Sequence, residues 1–166
     1  MSAPSLMQAL GFATALFLCG FWLLPGGVLA LRRRAKGEIQ VDVRLFYGTS
    51  TLYRLLKLYG ERGRASFRRM LLADMVFPAV YGAFLFALAS SAPAFHPAMS
   101  EVARTAQIMA ISAALWDYAE NVLLLVVLNR FPTPLPFTAT CASFCTSAKM
   151  VCFIVALVTL GLLYLG

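Results

Sequence analysis

The stretch LWDYAENVLLLVVL, residues 115–128, decides how this chain folds. It ends in seven apolar residues and follows an apolar run that begins at Ile108, yet it contains Asp117, Glu120 and Asn121. Their i, i+3, i+4 spacing places these three polar side chains on one face of a helix. Polar groups within an apolar run of this length are typical of a membrane-spanning helix whose polar face turns toward neighbouring helices.

The composition of the whole chain agrees with this interpretation. Of its 166 residues 61% are hydrophobic, and the mean hydropathy is +0.80, whereas soluble domains are roughly 45–50% apolar. Four runs are long enough to cross a hydrocarbon core of about 30 Å. They lie near residues 4–31, 70–90, 104–128 and 139–165. Continuous apolar runs favour helices over a barrel. We therefore predict an all-α integral membrane protein of a single domain, residues 1–166, built as a four-helix transmembrane bundle.

The first run could be mistaken for a secretory signal peptide. No Lys or Arg precedes it, and the basic residues RRRAK follow it, which is the reverse of a secretory n-region. We therefore expect a retained first span, which should kink or end at Pro25 because proline lacks a backbone donor.

The basic residues predict the orientation. Residues 32–69 hold 11 of the 14 Lys and Arg, against three acidic residues. The positive-inside rule puts this basic loop on the matrix or cytoplasmic side, with both termini opposite. We expect an energy-transducing inner membrane, the mitochondrial inner membrane first and a bacterial plasma membrane second. Because the charges flank spans, we do not expect nucleic-acid binding.

Within the basic loop, TSTLYRLLKLYGERG, residues 49–63, has the pattern of an amphipathic helix that ends at Gly60 or Gly63. Such a helix can lie in the headgroup layer, with its basic residues toward anionic lipid. The alternative is that its apolar face packs on a partner subunit. The residues expected to face lipid headgroups are Arg54, Lys57, Arg68 and Arg69.

Polar residues of three predicted spans fall at one depth. Counted inward from the basic side at about 1.5 Å per residue, Tyr81, Asp117, Glu120 and Lys149 lie within about 5 Å of one level, and Asp74 is shallower. A charge at a helix centre costs roughly 2.5–3.5 kcal/mol, so these groups should face inward. Lys149 can neutralise only one carboxylate. The predicted polar layer consists of Asp74, Tyr81, Asp117, Glu120, Asn121, Thr146 and Lys149.

Three interpretations of the polar layer stay open. In the first, buried pairs fix the register of the helices. In the second, the layer binds a lipid headgroup, a small polar substrate or a proton. In the third, a neighbouring subunit supplies cations that neutralise the remaining carboxylate. On the fourth span, Ala139, Ser143 and Ser147 form a small-residue stripe that can let another helix approach closely.

Other chemistry has no signature in the sequence. The four cysteines fall inside spans, without disulfide or zinc spacing, and should be packing residues. His96, the only histidine, lies in the outer loop between prolines. We predict no metal site and no cofactor, assign no catalytic residue, and take a bound phospholipid as the candidate ligand.

Three functions fit these observations. The first is an accessory or structural subunit of a larger membrane complex, respiratory or otherwise energy-transducing, with membrane lipids and other membrane subunits as partners. The second is a small membrane enzyme, or a protein that binds lipid or a small molecule through the polar layer. The third is a proton-conducting oligomer, although a single polar layer is poor support for conduction. We favour the first, which argues against enzymatic activity, but the sequence leaves that question open.

Overall fold

A computed structural model describes residues 3–23, 26–91 and 97–165, and every regular element in these stretches is helical. The α-helices are α1 (Ala3–Leu23), α2 (Val28–Arg34), α3 (Thr49–Ala73), α4 (Phe77–Ser91), α5 (Ser100–Arg130) and α6 (Pro136–Leu165), with short 3-10 turns at Val41–Val43 and Pro97–Met99. The segments long and apolar enough to cross a bilayer are Ser5–Arg34, Thr49–Ser91, Ser100–Arg130 and Pro136–Leu165. The all-helical class and the four apolar segments are therefore confirmed.

The long helices pack in a defined order. Helix α5 contacts both α4 and α6, α4 also contacts α6, and α1 packs mainly on α4. The most apolar stretch of α5 is 39% buried, whereas that of α1 is 12% buried. The predicted bundle thus has a three-helix core of α4, α5 and α6, with α1 along one edge.

Small residues bring α4 and α5 together. On α5, alanines at i, i+3, i+7 and i+10 are 0–1% exposed, namely Ala103, Ala106, Ala110 and Ala113. On α4, a Cβ added to Gly82 would lie 3.1 Å from the Cβ of Ala114. Small side chains at a helix interface let the backbones approach, and polar groups on the two helices can then meet.

The second predicted span, residues 70–90, is not one helix. Helix α3 ends at Ala73 and α4 begins at Phe77, with Pro78 in its first turn. Proline lacks the N–H that a continuous helix needs and restricts the residue before it, but it is well tolerated in a first turn. The break places Asp74 at the end of α3, where its N–H donates to the Met70 carbonyl over 2.8 Å.

The amphipathic helix of the basic loop is the first part of α3. It kinks at Gly60 (φ 64°, ψ −175°) and continues through Gly63. Its apolar side chains Leu52, Leu55 and Leu56 are each 1% exposed, and they belong to a core cluster that includes residues of α5 and α6. The sequence suggested lipid or a partner subunit for this face, but the chain's own helices cover it.

An extended segment that precedes α3 runs along the first half of α6. The Tyr47 N–H donates to Ser143 Oγ over 3.0 Å, and Ser147 Oγ donates to the Leu45 carbonyl over 2.5 Å. Two residues of the small-residue stripe of α6, Ser143 and Ser147, thus contact this segment, and the third, Ala139, is buried in the cluster that includes α3. Part of the basic loop therefore reaches the depth of the polar layer.

Candidate functional site: the polar layer

Lys149 of α6 lies between the two carboxylates of α5. Its Nζ is 3.1 Å from Asp117 Oδ1 and 2.5 Å from Glu120 Oε2. The side chains of Lys149, Asp117 and Glu120 are 13%, 6% and 0% exposed, respectively. The sequence led us to expect that one carboxylate would pair with Lys149; in the structure both contact it.

Hydroxyl groups of α4 and α6 donate hydrogen bonds to the remaining oxygens of these carboxylates. Tyr81 Oη donates to Asp117 Oδ2 over 3.1 Å, and Thr146 Oγ1 donates to Glu120 Oε1 over 2.6 Å. A hydrogen bond to a charged acceptor is stronger than one between neutral groups. The centre of the layer therefore ties α4, α5 and α6 to one another.

A second polar contact lies closer to the basic side. Asn121 Nδ2 donates to Asp74 Oδ2 over 2.9 Å, which links α5 to the break between α3 and α4. Asp74 is partly exposed. Counting this pair, the predicted layer holds three carboxyl groups and one amine, so full ionisation would leave two negative charges that Lys149 does not neutralise.

The loop contributes a residue that the sequence analysis did not include. Lys149 Nζ also donates to the backbone carbonyl of Asp42 over 3.3 Å. Asp42 lies in the 3-10 turn Val41–Val43, outside the α-helices. Burial raises the pKa of its carboxyl above the usual 3.8, although the charge of Lys149 opposes this shift. No pattern in the sequence predicts which loop residue meets a helix at this depth.

Several polar atoms around Asp42 are buried but unpaired. Among the described residues, the side-chain atoms of the loop and α3 that are buried without a hydrogen-bond partner are Gln40 Oε1, Asp42 Oδ1, Tyr47 Oη and Tyr59 Oη. In native proteins such atoms are usually satisfied by ordered water or a bound group. The one other such atom among the described residues is Glu120 Oε2, which lies 2.5 Å from Lys149 Nζ, so four of the five lie on the loop side of the layer.

The four basic residues expected to face lipid are all exposed, but they have different surroundings. Arg54 forms an ion pair with Glu38, which Arg44 also contacts at 3.3 Å. The Arg54 guanidinium thereby lowers the pKa of Glu38. Arg69 lines a groove beside α1, whereas Arg68 does not. The sequence alone could not separate these four positions.

The remaining candidates add no chemistry to the layer. Cys19, Cys141, Cys145 and Cys152 are free thiols, and Cys145 alone of these is fully buried. In the stretches that the structure covers, no three His, Cys, Asp or Glu side chains converge as ligands of a metal ion. His96 lies outside the described residues.

Comparisons with protein-family models, with curated proteins and with solved structures gave no match to this chain. Fold and site together define its class. Over the described residues it is an all-helical chain with four segments apolar enough to span a membrane, and three of these segments contribute to a buried ionic layer.

Proposed function

We propose that this chain is a small multi-pass membrane protein that serves as a structural, accessory subunit of a larger membrane complex. The proposal rests on the ionic centre, formed by Lys149, Asp117 and Glu120, whose charged groups are paired within this one chain. Lys149 contacts both Asp117 and Glu120, and hydroxyl groups of the same chain donate to the other oxygen of each carboxylate.

Pairing of the charged groups with one another supports a structural role better than a catalytic one. A catalytic site needs a position beside its acid, base or nucleophile where a reacting atom can sit. At the centre of this layer the charged atoms face one another instead. Buried pairs of this kind can specify a single helix register, at little or no net gain in stability.

The outer surface of the chain supports contacts with partners. Large apolar side chains are exposed along α1, as at Phe12 (68%) and Trp22 (46%), and along α6, as at Phe137 (82%). Lipid can cover such faces, but contiguous apolar surface also marks protein contacts. Since α1 packs mainly on one long helix, α4, its outer side is our proposed docking edge.

The proposed location follows from the same features. The basic loop would face the matrix or cytoplasm and both termini the opposite side. The mitochondrial inner membrane is our first choice and the bacterial plasma membrane our second, because small subunits made almost entirely of spans suit energy-transducing complexes.

A second candidate function is the binding of a small polar molecule at the loop side of the layer. The buried, unpaired atoms of Gln40, Asp42, Tyr47 and Tyr59 favour it, since each needs a partner. Proton conduction has less support. Beyond Tyr81, the core of α4, α5 and α6 continues with apolar residues such as Leu85, Ala89 and Leu160.

The test is extraction of the tagged chain from its native membrane in a mild detergent, followed by native electrophoresis and mass spectrometry of the band. We expect co-migration with other subunits at a fixed stoichiometry. Phe12→Ala on α1 should weaken this association, whereas Phe137→Ala on α6 should not. Migration of the wild-type chain alone, or with a bound metabolite, would contradict the proposed subunit role.

A further inference from the structure

A groove separates α1 from the end of α3. It has a volume of about 450 Å³ and lies between the second half of α1, the glycines that precede α2, and the last turns of α3. Ligand pockets are usually about 300–1,000 Å³. The groove is thus large enough for part of a lipid molecule.

The walls of the groove are apolar, and one end is cationic. Leu16, Phe17 and Phe21 line it from α1, and Met70 lines it from α3. Arg69 is the one charged side chain among the described lining residues. Its Nη2 donates to Ser66 Oγ over 3.4 Å, so a guanidinium and a hydroxyl lie together at the polar end.

The polar end lies at the level where lipid headgroups are expected. Gly26, with φ of 93°, and Gly27 lie directly before α2, whose last turn carries Arg32, Arg33 and Arg34 at the start of the basic loop. A Cβ on Gly26 would lie 3.2 Å from Ser66 Oγ, so the backbone closely approaches this hydroxyl. The surrounding loop carries 11 of the 14 basic residues of the chain.

We infer that this groove binds one anionic phospholipid. An acyl chain lies against Leu16, Phe17 and Phe21, and the phosphate is held by Arg69 together with Ser66. An arginine presents several donors to a phosphate, and an anionic headgroup adds attraction to the basic loop. A groove with apolar walls between two apolar segments favours a lipid over free phosphate. This site is separate from the polar layer and does not depend on the proposed subunit role.

The chain provides a matched pair of arginines for the test. Arg68 and Arg69 are neighbours, both exposed, but Arg69 alone of the two lines the groove. A second pair tests the apolar walls. Ala73 lines the groove and Leu72 does not, so Ala73→Trp should fill it whereas Leu72→Trp should leave it open.

The experiment is native mass spectrometry of the purified full chain, titrated with phosphatidylglycerol, with phosphatidylcholine or with inorganic phosphate. We expect one phosphatidylglycerol per chain, bound more tightly than phosphatidylcholine and not displaced by inorganic phosphate. Arg69→Gln should weaken phosphatidylglycerol binding at least about fivefold, and Arg68→Gln should change it by less than about twofold, because surface charges away from the site contribute little. Ala73→Trp should abolish binding of the phospholipid, and Leu72→Trp should not.

Three results would overturn the inference: equal losses from both arginine variants, unchanged binding in Ala73→Trp, or equal affinity for the two phospholipids. Thermal unfolding of each variant separates a binding defect from a folding defect. If Ala73→Trp does not fold, the arginine pair decides the question, since both side chains are exposed.

Discussion

Lys149 is the residue on which the polar layer depends. It is 13% exposed and contacts two carboxylates and one loop carbonyl. A buried ammonium group needs such partners, because removal of a charge from water costs several kcal/mol. The two carboxylates also depend on Lys149. If Lys149 were absent, Asp117 and Glu120 would be unneutralised like charges on one helix face.

Two acidic residues of the loop, Glu38 and Asp42, should make the stability of the fold depend on pH in opposite ways. The pKa of Glu38 is lowered, mainly by its hydrogen bond with Arg54. Its carboxylate therefore stabilises the fold when the pH is above 4.5, the usual pKa of a glutamate. This stabilisation is lost as the pH falls through the lowered pKa of the folded state. The pKa of Asp42 is raised by burial, so its ionisation disfavours the fold as the pH rises above 3.8.

Glu38→Gln should therefore lower the Tm at neutral pH, by a small amount because this ion pair is partly exposed. Asp42→Asn should raise the Tm at neutral pH. Both differences from the wild type should shrink at acidic pH, where the carboxyl groups are protonated. The measurement is thermal unfolding in detergent from neutral pH to below 3.8. Shifts of the same sign at neutral pH would contradict these assignments.

At the scale of elements, α3 depends on a conformation that suits glycine. Gly60 has φ of 64° and ψ of −175°, a region essentially restricted to glycine. The kink turns the amphipathic first part of α3 so that Leu52, Leu55 and Leu56 are buried within the core cluster they share with α5 and α6. A side chain at this position would oppose the kink.

Gly60→Ala should destabilise the fold by about 1–3 kcal/mol because of backbone strain. A control is Gly161→Ala in α6, where an added Cβ would meet no atom within 4 Å. Alanine should be neutral there or stabilise the helix by up to about 1 kcal/mol. Chemical unfolding in detergent measures both variants. A Gly60→Ala protein as stable as the wild type would show that the kink is not required.

Several elements of the layer could be predicted from the sequence because their signals are local. The i, i+3, i+4 spacing puts Asp117, Glu120 and Asn121 on one face, and counting from the span ends puts Lys149 at the same depth. The structure brings these side chains together with Tyr81, Thr146 and Asp74.

Other features depend on tertiary contacts and have no such signal. The loop carbonyl of Asp42 meets Lys149 only because an extended segment lies along α6, and an irregular segment has no periodicity from which its register can be predicted. The break before α4 had a local signal in Pro78, which the length of the apolar run obscured. The sequence predicted that this helix ends at Gly60 or Gly63, whereas the structure has a kink at Gly60 within a helix that continues to Ala73. The burial of the amphipathic face against the chain's own helices could not be predicted from the sequence.

At the scale of the whole molecule, three features support the proposed role as a structural subunit. A core of α4, α5 and α6 is joined by an ionic centre, α1 lies at the edge, and large apolar side chains remain exposed on the outside. A structural subunit needs a fixed register inside and contact surfaces outside. The groove between α1 and α3 is our proposed binding site for an anionic lipid.

Our central claim is that the ionic centre fixes how α4, α5 and α6 pack together. The free energies of unfolding of two variants test this claim most directly. Lys149→Met should destabilise the fold by about 3–5 kcal/mol, because it leaves two buried carboxylates without their cation. The triple variant Lys149→Met, Asp117→Asn, Glu120→Gln should recover most of that loss, since neutral groups of similar shape can replace a buried ion pair at little cost. If the triple variant unfolds as readily as the single variant, the pairing does not hold the helices together and the account is wrong.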